Sequence, residues 1–84
     1  MTNDLIRNIA EEYHFKEIKS GGKNYISFIK FYARGHVRIN FYEDIQILYL
    51  SITKLMYKRF QSTYPTHLSD LVYRIFKTPN NFKK

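Results

Sequence analysis

The chain has 84 residues, enough for one domain over residues 1–84 but not for a large catalytic cleft, because so short a chain buries only about 60% of its unfolded surface. Fourteen Lys and Arg against seven Asp and Glu give a formal net charge of +7, which indicates a polyanionic or acidic partner. Apolar residues make up 44% of the chain, with only three Gly and two Pro, so the composition excludes disorder over most of its length.

The absence of cysteine excludes disulfide scaffolds, Cys-ligated metals and thiol nucleophiles. No apolar run approaches the roughly 20 residues of a membrane span, and residues 1–4 lack the order of a signal peptide. We therefore expect an intracellular protein, cytoplasmic or associated with a nucleoid or virion, that is neither secreted nor in contact with a membrane. Residues with A/T-rich codons are abundant, which favours a viral, phage or other AT-rich source.

The first half of the chain predicts a helix followed by strands. Apolar residues recur at helical spacing from Leu5 to Tyr13 and predict an amphipathic helix over residues 3–13. Residues 15–19 and 24–32 read as two strands joined by a tight turn at residues 20–23. After a turn at Arg34 and Gly35, residues 36–42 alternate between apolar and polar side chains and form the clearest predicted strand.

The second half has a less regular pattern. Residues 45–53 read as a buried strand or as the start of a helix towards Phe60, and their composition favours the strand. Residues 54–60 then form a fifth strand or a short helix, and residues 61–65 a loop. A second helix begins with Thr66 as its N-cap and ends before Pro79, and residues 80–84 are a flexible basic tail. The predicted fold is α+β: an N-terminal helix, an antiparallel meander of four or five strands, and a C-terminal helix.

The strand Arg38-Ile39-Asn40-Phe41-Tyr42, the later Lys58-Arg59-Phe60 and the apolar positions before Pro79 resemble a loose group of small basic proteins that share an Arg-Ile-Asn-x-Tyr strand. The resemblance covers about residues 34–80. The group is richer in glycine between the strand and the basic cluster, whereas residues 44–53 contain none. The resemblance implies a β-meander followed by a helix, and it carries no known activity.

Positive charge is concentrated in the second half, where residues 45–84 hold seven Lys and Arg and a single acid, Asp70. Interleaved cations and aromatic rings are typical of surfaces that hold phosphates and stack bases. The polar face of the strand at residues 36–42 is a second candidate, with Lys30 and Tyr32 expected opposite it on the preceding strand. The predicted nucleic-acid-binding residues are Lys30, Arg34, Arg38, Asn40, Tyr42, Lys54, Lys58, Arg59, Arg74 and Lys77. Alternatively, the cations are a solvated surface, and the polar strand face is either covered by a helix or in contact with water.

Eight Tyr and seven Phe exceed what so small a core can hide, which favours a protein interface or homo-oligomer through Tyr42, Tyr57 and Tyr73. The three histidines are far apart in the sequence, and no nucleophile motif is present. We therefore expect no metal site, no cofactor and no catalytic residues. We therefore expect a non-enzymatic, sequence-tolerant nucleic-acid-binding domain. The alternative is a protein-interaction module, such as a viral or phage accessory or inhibitor protein or an oligomeric structural component, that docks on an acidic partner.

Overall fold

The computed structural model describes residues 1–19, 24–54 and 59–77 and confirms the α+β fold. Two helices flank five strands in chain order. The elements are α1 (Asn3–Glu12), β1 (Lys16–Ile18), β2 (Ile26–Tyr32), β3 (Gly35–Tyr42), β4 (Ile47–Lys54), β5 (Arg59–Pro65) and α2 (Ser69–Lys77). The predicted turn at residues 20–23, residues 55–58 and the predicted tail at residues 80–84 lie outside the described residues.

The five strands form one antiparallel sheet in the order β1-β2-β3-β4-β5, so each strand pairs with its neighbour in sequence. Both helices pack on the same face of this sheet. Their buried side chains, among them Ile6, Ile9 and Phe76, join the alternating apolar residues of β2, β3 and β4 in one core. We call this side the covered face. Neither helix of the described chain is long and apolar enough to cross a membrane.

Helix α1 begins and ends with recognisable caps. The Thr2 hydroxyl accepts a hydrogen bond from the Leu5 N–H at 3.2 Å, the usual N-cap contact. At the other end, His14 has a left-handed φ of 65°, its N–H donates to the Glu11 carbonyl, and the N–H of Phe15 donates to the Ala10 carbonyl at 2.8 Å. This pair of bonds is a Schellman motif, which turns the chain sharply from α1 into β1.

Two local predictions in the second half were wrong. The first concerns residues 61–65, which are not a loop but most of strand β5. Residues 47–53, in contrast, are the strand that their composition favoured. Thr66 does not cap α2: it is buried, its hydroxyl donates to Gln46 Oε1 at 2.7 Å and its N–H to the Gln46 carbonyl at 2.9 Å. Because Gln46 also contacts Met1 through both of its amide atoms, it links the chain start, the β3–β4 turn and the end of β5.

Candidate nucleic-acid interface

The second face of the sheet carries no helix in the described chain. Its residues follow from the strand register, because residues paired across an antiparallel ladder point to the same side. Asn40, for example, pairs with Ser27 on β2 and with Tyr49 on β4. We call this side the open face. Its side chains are Lys16, Ile18, Tyr25, Ser27, Ile29, Phe31, His36, Arg38, Asn40, Tyr42, Ile47, Tyr49, Ser51, Thr53, Arg59, Gln61, Thr63 and Pro65.

Two aromatic pairs lie at opposite ends of the open face. Tyr25 and Tyr42 have ring centroids 4.9 Å apart at an interplanar angle of 36°. Phe31 and His36 have centroids 6.0 Å apart, and Phe31 is 74% exposed. Tyr42 lies six positions after His36 on β3, so the two pairs are about 20 Å apart at the usual strand rise. Phe31 is exposed and the other three rings are half-buried, so each pair leaves ring surface on which a base can stack.

A hydrogen-bond network occupies the middle of the open face, between the two ring pairs. Arg38 Nε donates to Ser27 Oγ at 2.9 Å, and the Ser27 hydroxyl donates to Asn40 Oδ1 at 2.6 Å. Ser27 is only 1% exposed although no helix covers it, because these longer neighbours lie over it. The network fixes the Asn40 carbonyl towards Ser27, so its amide N–H groups point away from Ser27 as hydrogen-bond donors.

No acidic residue lies on the open face, and this holds for all seven of them because all seven are within the described ranges. Lys16, Arg38 and Arg59 are its cations. The acidic residues lie on the helices (Asp4, Glu11, Glu12 and Asp70), on the covered face (Glu17) and in the β3–β4 turn (Glu43 and Asp44). Because the side chains of all seven acidic residues lie elsewhere, the open face presents a positive field to an approaching polyanion.

Lys30 and Tyr32 do not lie opposite Arg38, and that placement was wrong. The β2–β3 connection is a two-residue turn at Ala33 and Arg34, so Tyr32 pairs with Gly35 and Lys30 with Val37, on the covered face. Lys30 Nζ donates to the Tyr13 carbonyl at 2.8 Å and lies 5.4 Å from the centre of the Tyr32 ring. Burial raises the pKa of the Tyr32 hydroxyl, as expected for this side of the sheet.

The position of Lys30 indicates a structural role at the end of α1. The last turn of α1 has no basic residue of its own, and Lys30 supplies a cation at the Tyr13 carbonyl, where the helix dipole is negative. We expect Lys30→Met to lower the free energy of unfolding by about 1–2 kcal/mol, measured by urea titration, and to leave nucleic-acid affinity unchanged. The exposed Lys19→Met is the matched control and should change stability by less than about 0.5 kcal/mol. Equal stability of the two variants would contradict this role.

The other predicted residues are divided between several surfaces. Arg38, Asn40, Tyr42 and Arg59 share the open face, and Arg34 lies beside it in the exposed β2–β3 turn. Lys54, at the exposed end of β4, pairs with Gly35 and so points to the helix side. Arg74, Lys77 and Tyr73 are on α2, in the opposite layer, whereas Tyr57 and Lys58 lie outside the described residues. The structure therefore brings together neither all the predicted cations nor Tyr42 with Tyr73.

Several open-face residues were not predicted as binding residues, among them Lys16, Tyr25 and Phe31. Phe31, and Ser27 as well, could have been found from the alternation in β3. Carried through a two-residue turn at positions 33 and 34, that alternation places Phe31 opposite His36 and Ser27 opposite Asn40. Lys16 needs one further step, the register between β1 and β2, which the first hairpin sets.

Comparisons with protein-family models, with curated proteins and with solved structures find no match for this chain. The fold defines its structural class: a small two-layer α+β domain with one sheet face covered by helices. Among residues 1–19, 24–54 and 59–77, no group of three His, Asp or Glu side chains is placed to hold a metal ion.

Proposed function

We propose that the protein is a non-enzymatic, sequence-tolerant nucleic-acid-binding domain whose interface is the open face. The observation that carries the proposal is a sheet face that no helix of the described chain covers and that combines three cations and two pairs of rings with no acidic side chain from the described residues. Lys16, Arg38 and Arg59 pair with phosphates, and Phe31 and Tyr42 stack with bases. Because stacking and phosphate pairing tolerate any base, the binding is weakly dependent on sequence.

Single strands are the preferred ligand in this proposal. The major groove of duplex DNA admits a helix or a two-stranded ribbon, and a five-stranded sheet is too wide to enter it. Bases can reach the rings of Tyr42 and Phe31 only when they are unpaired and turned towards the sheet. The Arg38–Ser27–Asn40 network, between the two ring pairs, supplies fixed hydrogen-bond donors for a base edge or a phosphate.

The test is a comparison of two double variants that each remove one Lys and one Arg. We expect Lys16→Ala with Arg59→Ala, on the open face, to weaken binding to a labelled single-stranded oligonucleotide about tenfold or more in fluorescence anisotropy. The slope of log affinity against log salt should fall by about 1.4, since each lost phosphate contact removes about 0.7. Both residues are exposed, so their replacement should leave the fold unchanged.

The matched control is Arg74→Ala with Lys77→Ala on α2, which removes the same charge from the opposite layer. It should lower affinity less and leave the salt slope nearly unchanged. Equal losses from the two double variants would show that net charge alone attracts nucleic acid. No binding by the unmodified protein at low salt would end the proposal.

A second candidate function is docking on an acidic protein, alone or as a homo-oligomer. The observation that favours it is the exposure of large apolar side chains, including Phe31 at 74% and Ile45 at 65%. The two functions differ in their response to salt: phosphate binding weakens steeply as salt rises, whereas an aromatic protein interface persists. Binding of an acidic protein that survives high salt, together with no binding of oligonucleotides at low salt, would favour the second candidate.

A further inference from the structure

The outer edge of β5 is a free strand edge within the described chain. β5 is the last strand of the sheet and pairs only with β4. Arg59, Phe60, Gln61 and Thr63 are exposed along it. Protein sheets usually protect such an edge with charged side chains, proline, bulges or very short strands. β1, at the other edge, has only three residues, whereas β5 has seven in unbroken register with β4, and its charged residue and its proline, Arg59 and Pro65, stand at its two ends.

The direction of each backbone group in β5 follows from one hydrogen bond. The Thr66 N–H donates to the Gln46 carbonyl at 2.9 Å, one step beyond the pair of Pro65 with Ile47. Backbone groups of an antiparallel strand point alternately to either side, so residues 60, 62 and 64 face β4 and residues 59, 61, 63 and 65 face outwards. Pro65 therefore stands where a missing N–H costs no bond to β4.

We propose that β5 pairs with β5 of a second copy of this chain, antiparallel about a two-fold axis at Ser62. Outward-facing groups then meet outward-facing groups: Gln61 pairs with the partner's Thr63, and Thr63 with the partner's Gln61. In the pair of Arg59 with the partner's Pro65, the Arg59 N–H donates to the Pro65 carbonyl, and the second bond of the pair is missing because proline has no N–H. The axis makes the interface self-complementary.

Charge and aromatic pairing select this register over its neighbours. Arg59 is the only charged residue in β5, and an axis at Ser62 places the two Arg59 side chains at opposite ends of the new ladder. Phe60, which is 51% exposed, comes opposite the partner's Tyr64, and the pair occurs twice. Moving the axis by one residue, to Gln61 or to Thr63, breaks both of these aromatic pairs.

The resulting dimer has one continuous ten-stranded sheet with the two open faces side by side. The inference does not depend on the proposed function, because it rests only on the β5 edge. Its first test is sedimentation equilibrium of the nucleic-acid-free protein at high salt, over a wide range of protein concentration. We expect a reversible monomer–dimer equilibrium that persists in salt, since backbone hydrogen bonds and aromatic contacts are weakly screened. A monomer throughout the range would overturn the proposal.

The register is tested by Ser62→Cys, which introduces a single thiol into a chain that has no cysteine. At the axis the two Cα atoms form a pair about 4.5 Å apart, without hydrogen bonds to each other, and that separation suits a disulfide. We expect mild oxidation to convert the variant to a covalent dimer. Ala33→Cys, in the exposed β2–β3 turn away from the β5 edge, is the control and should cross-link far less. Equal cross-linking of the two variants would overturn the pairing.

The outward N–H groups are tested by Thr63→Pro, which removes two donors from the dimer and none from the bonds between β4 and β5. We expect dimerisation at least about tenfold weaker, with an unchanged circular dichroism spectrum. Thr63→Ala, which keeps the N–H, should dimerise as the unmodified protein does. If Thr63→Pro keeps its fold and dimerises normally, the β5 edge is not the interface. If it unfolds, the Ser62→Cys cross-link decides.

Discussion

Gly35→Ala is expected to destabilise the protein more than any other single exchange considered in this chain. Gly35 begins β3 with a φ of 148°, a conformation that residues with a side chain rarely adopt. An added Cβ would meet the Thr53 carbonyl oxygen at 2.0 Å and Lys54 Cα at 2.9 Å, both backbone atoms of β4. Backbone strain and overpacking together should lower the free energy of unfolding by at least about 3 kcal/mol.

So large a loss removes more than half of the stability of a small domain, about 5 kcal/mol, and should lower the melting temperature by at least about 12 °C. Thermal unfolding followed by circular dichroism measures it. Arg34→Ala is the control, since it changes the exposed neighbouring turn residue and should cost less than about 0.5 kcal/mol. A Gly35→Ala protein that melts with the unmodified one would mean that β3 does not begin against Thr53. The start of β3 also places His36 beside Phe31. We therefore expect a Gly35→Ala protein that keeps its stability to keep its nucleic-acid binding as well.

The elements that local pattern predicted are those whose contacts are local. The apolar stripe of α1 and the strict alternation of β3 depend on residues a few positions apart, and both elements are present. The predictions that failed depend on residues distant in sequence. Thr66 has the character of an N-cap, but its hydroxyl and N–H are taken by Gln46, twenty positions earlier. No local pattern contains that contact.

Residues 61–65, most of strand β5, were predicted as a loop because Ser, Thr and Pro are common in loops. At a sheet edge the same residues are compatible with a strand, since half of the backbone N–H groups there face away from the sheet. Pro65 occupies such an outward position. Composition cannot distinguish the two environments, because the difference lies in which strand is the neighbour.

The candidate site was predicted in part, for a similar reason. The charge total of residues 45–84 was correct, but a total does not state which layer carries each cation. Arg59 is the first residue of strand β5 in the sheet, whereas Arg74 and Lys77 are on α2, which packs on the covered face. Lys30 changes side because an even number of turn residues joins β2 to β3. The proposed interface therefore holds fewer cations than the sequence suggested, and we expect its rings to contribute more of the binding.

Phe31→Ala combined with Tyr42→Ala is therefore expected to have the largest effect on nucleic-acid binding. Stacking of one base on one ring contributes about 1–3 kcal/mol, so the loss of both rings should weaken single-strand binding at least about 30-fold. Anisotropy titrations across a range of salt concentrations measure this loss. The salt slope should stay unchanged, because neither side chain pairs with a phosphate. This combination of a large loss and a constant slope distinguishes the aromatic variant from the Lys16 and Arg59 variant.

Tyr73→Ala is the control for the rings, since Tyr73 is 40% exposed on α2 in the opposite layer and should leave affinity unchanged. Phe31 is too exposed to stabilise the core, so a folded double variant is expected, with a modest cost from the lost Tyr25–Tyr42 contact. Full affinity in a folded double variant would leave phosphate pairing as the only attraction. Duplexes and single strands would then bind alike, and the open face would lose its preference for unpaired bases. A loss shared equally by Tyr73→Ala would instead move the interface to the helix layer.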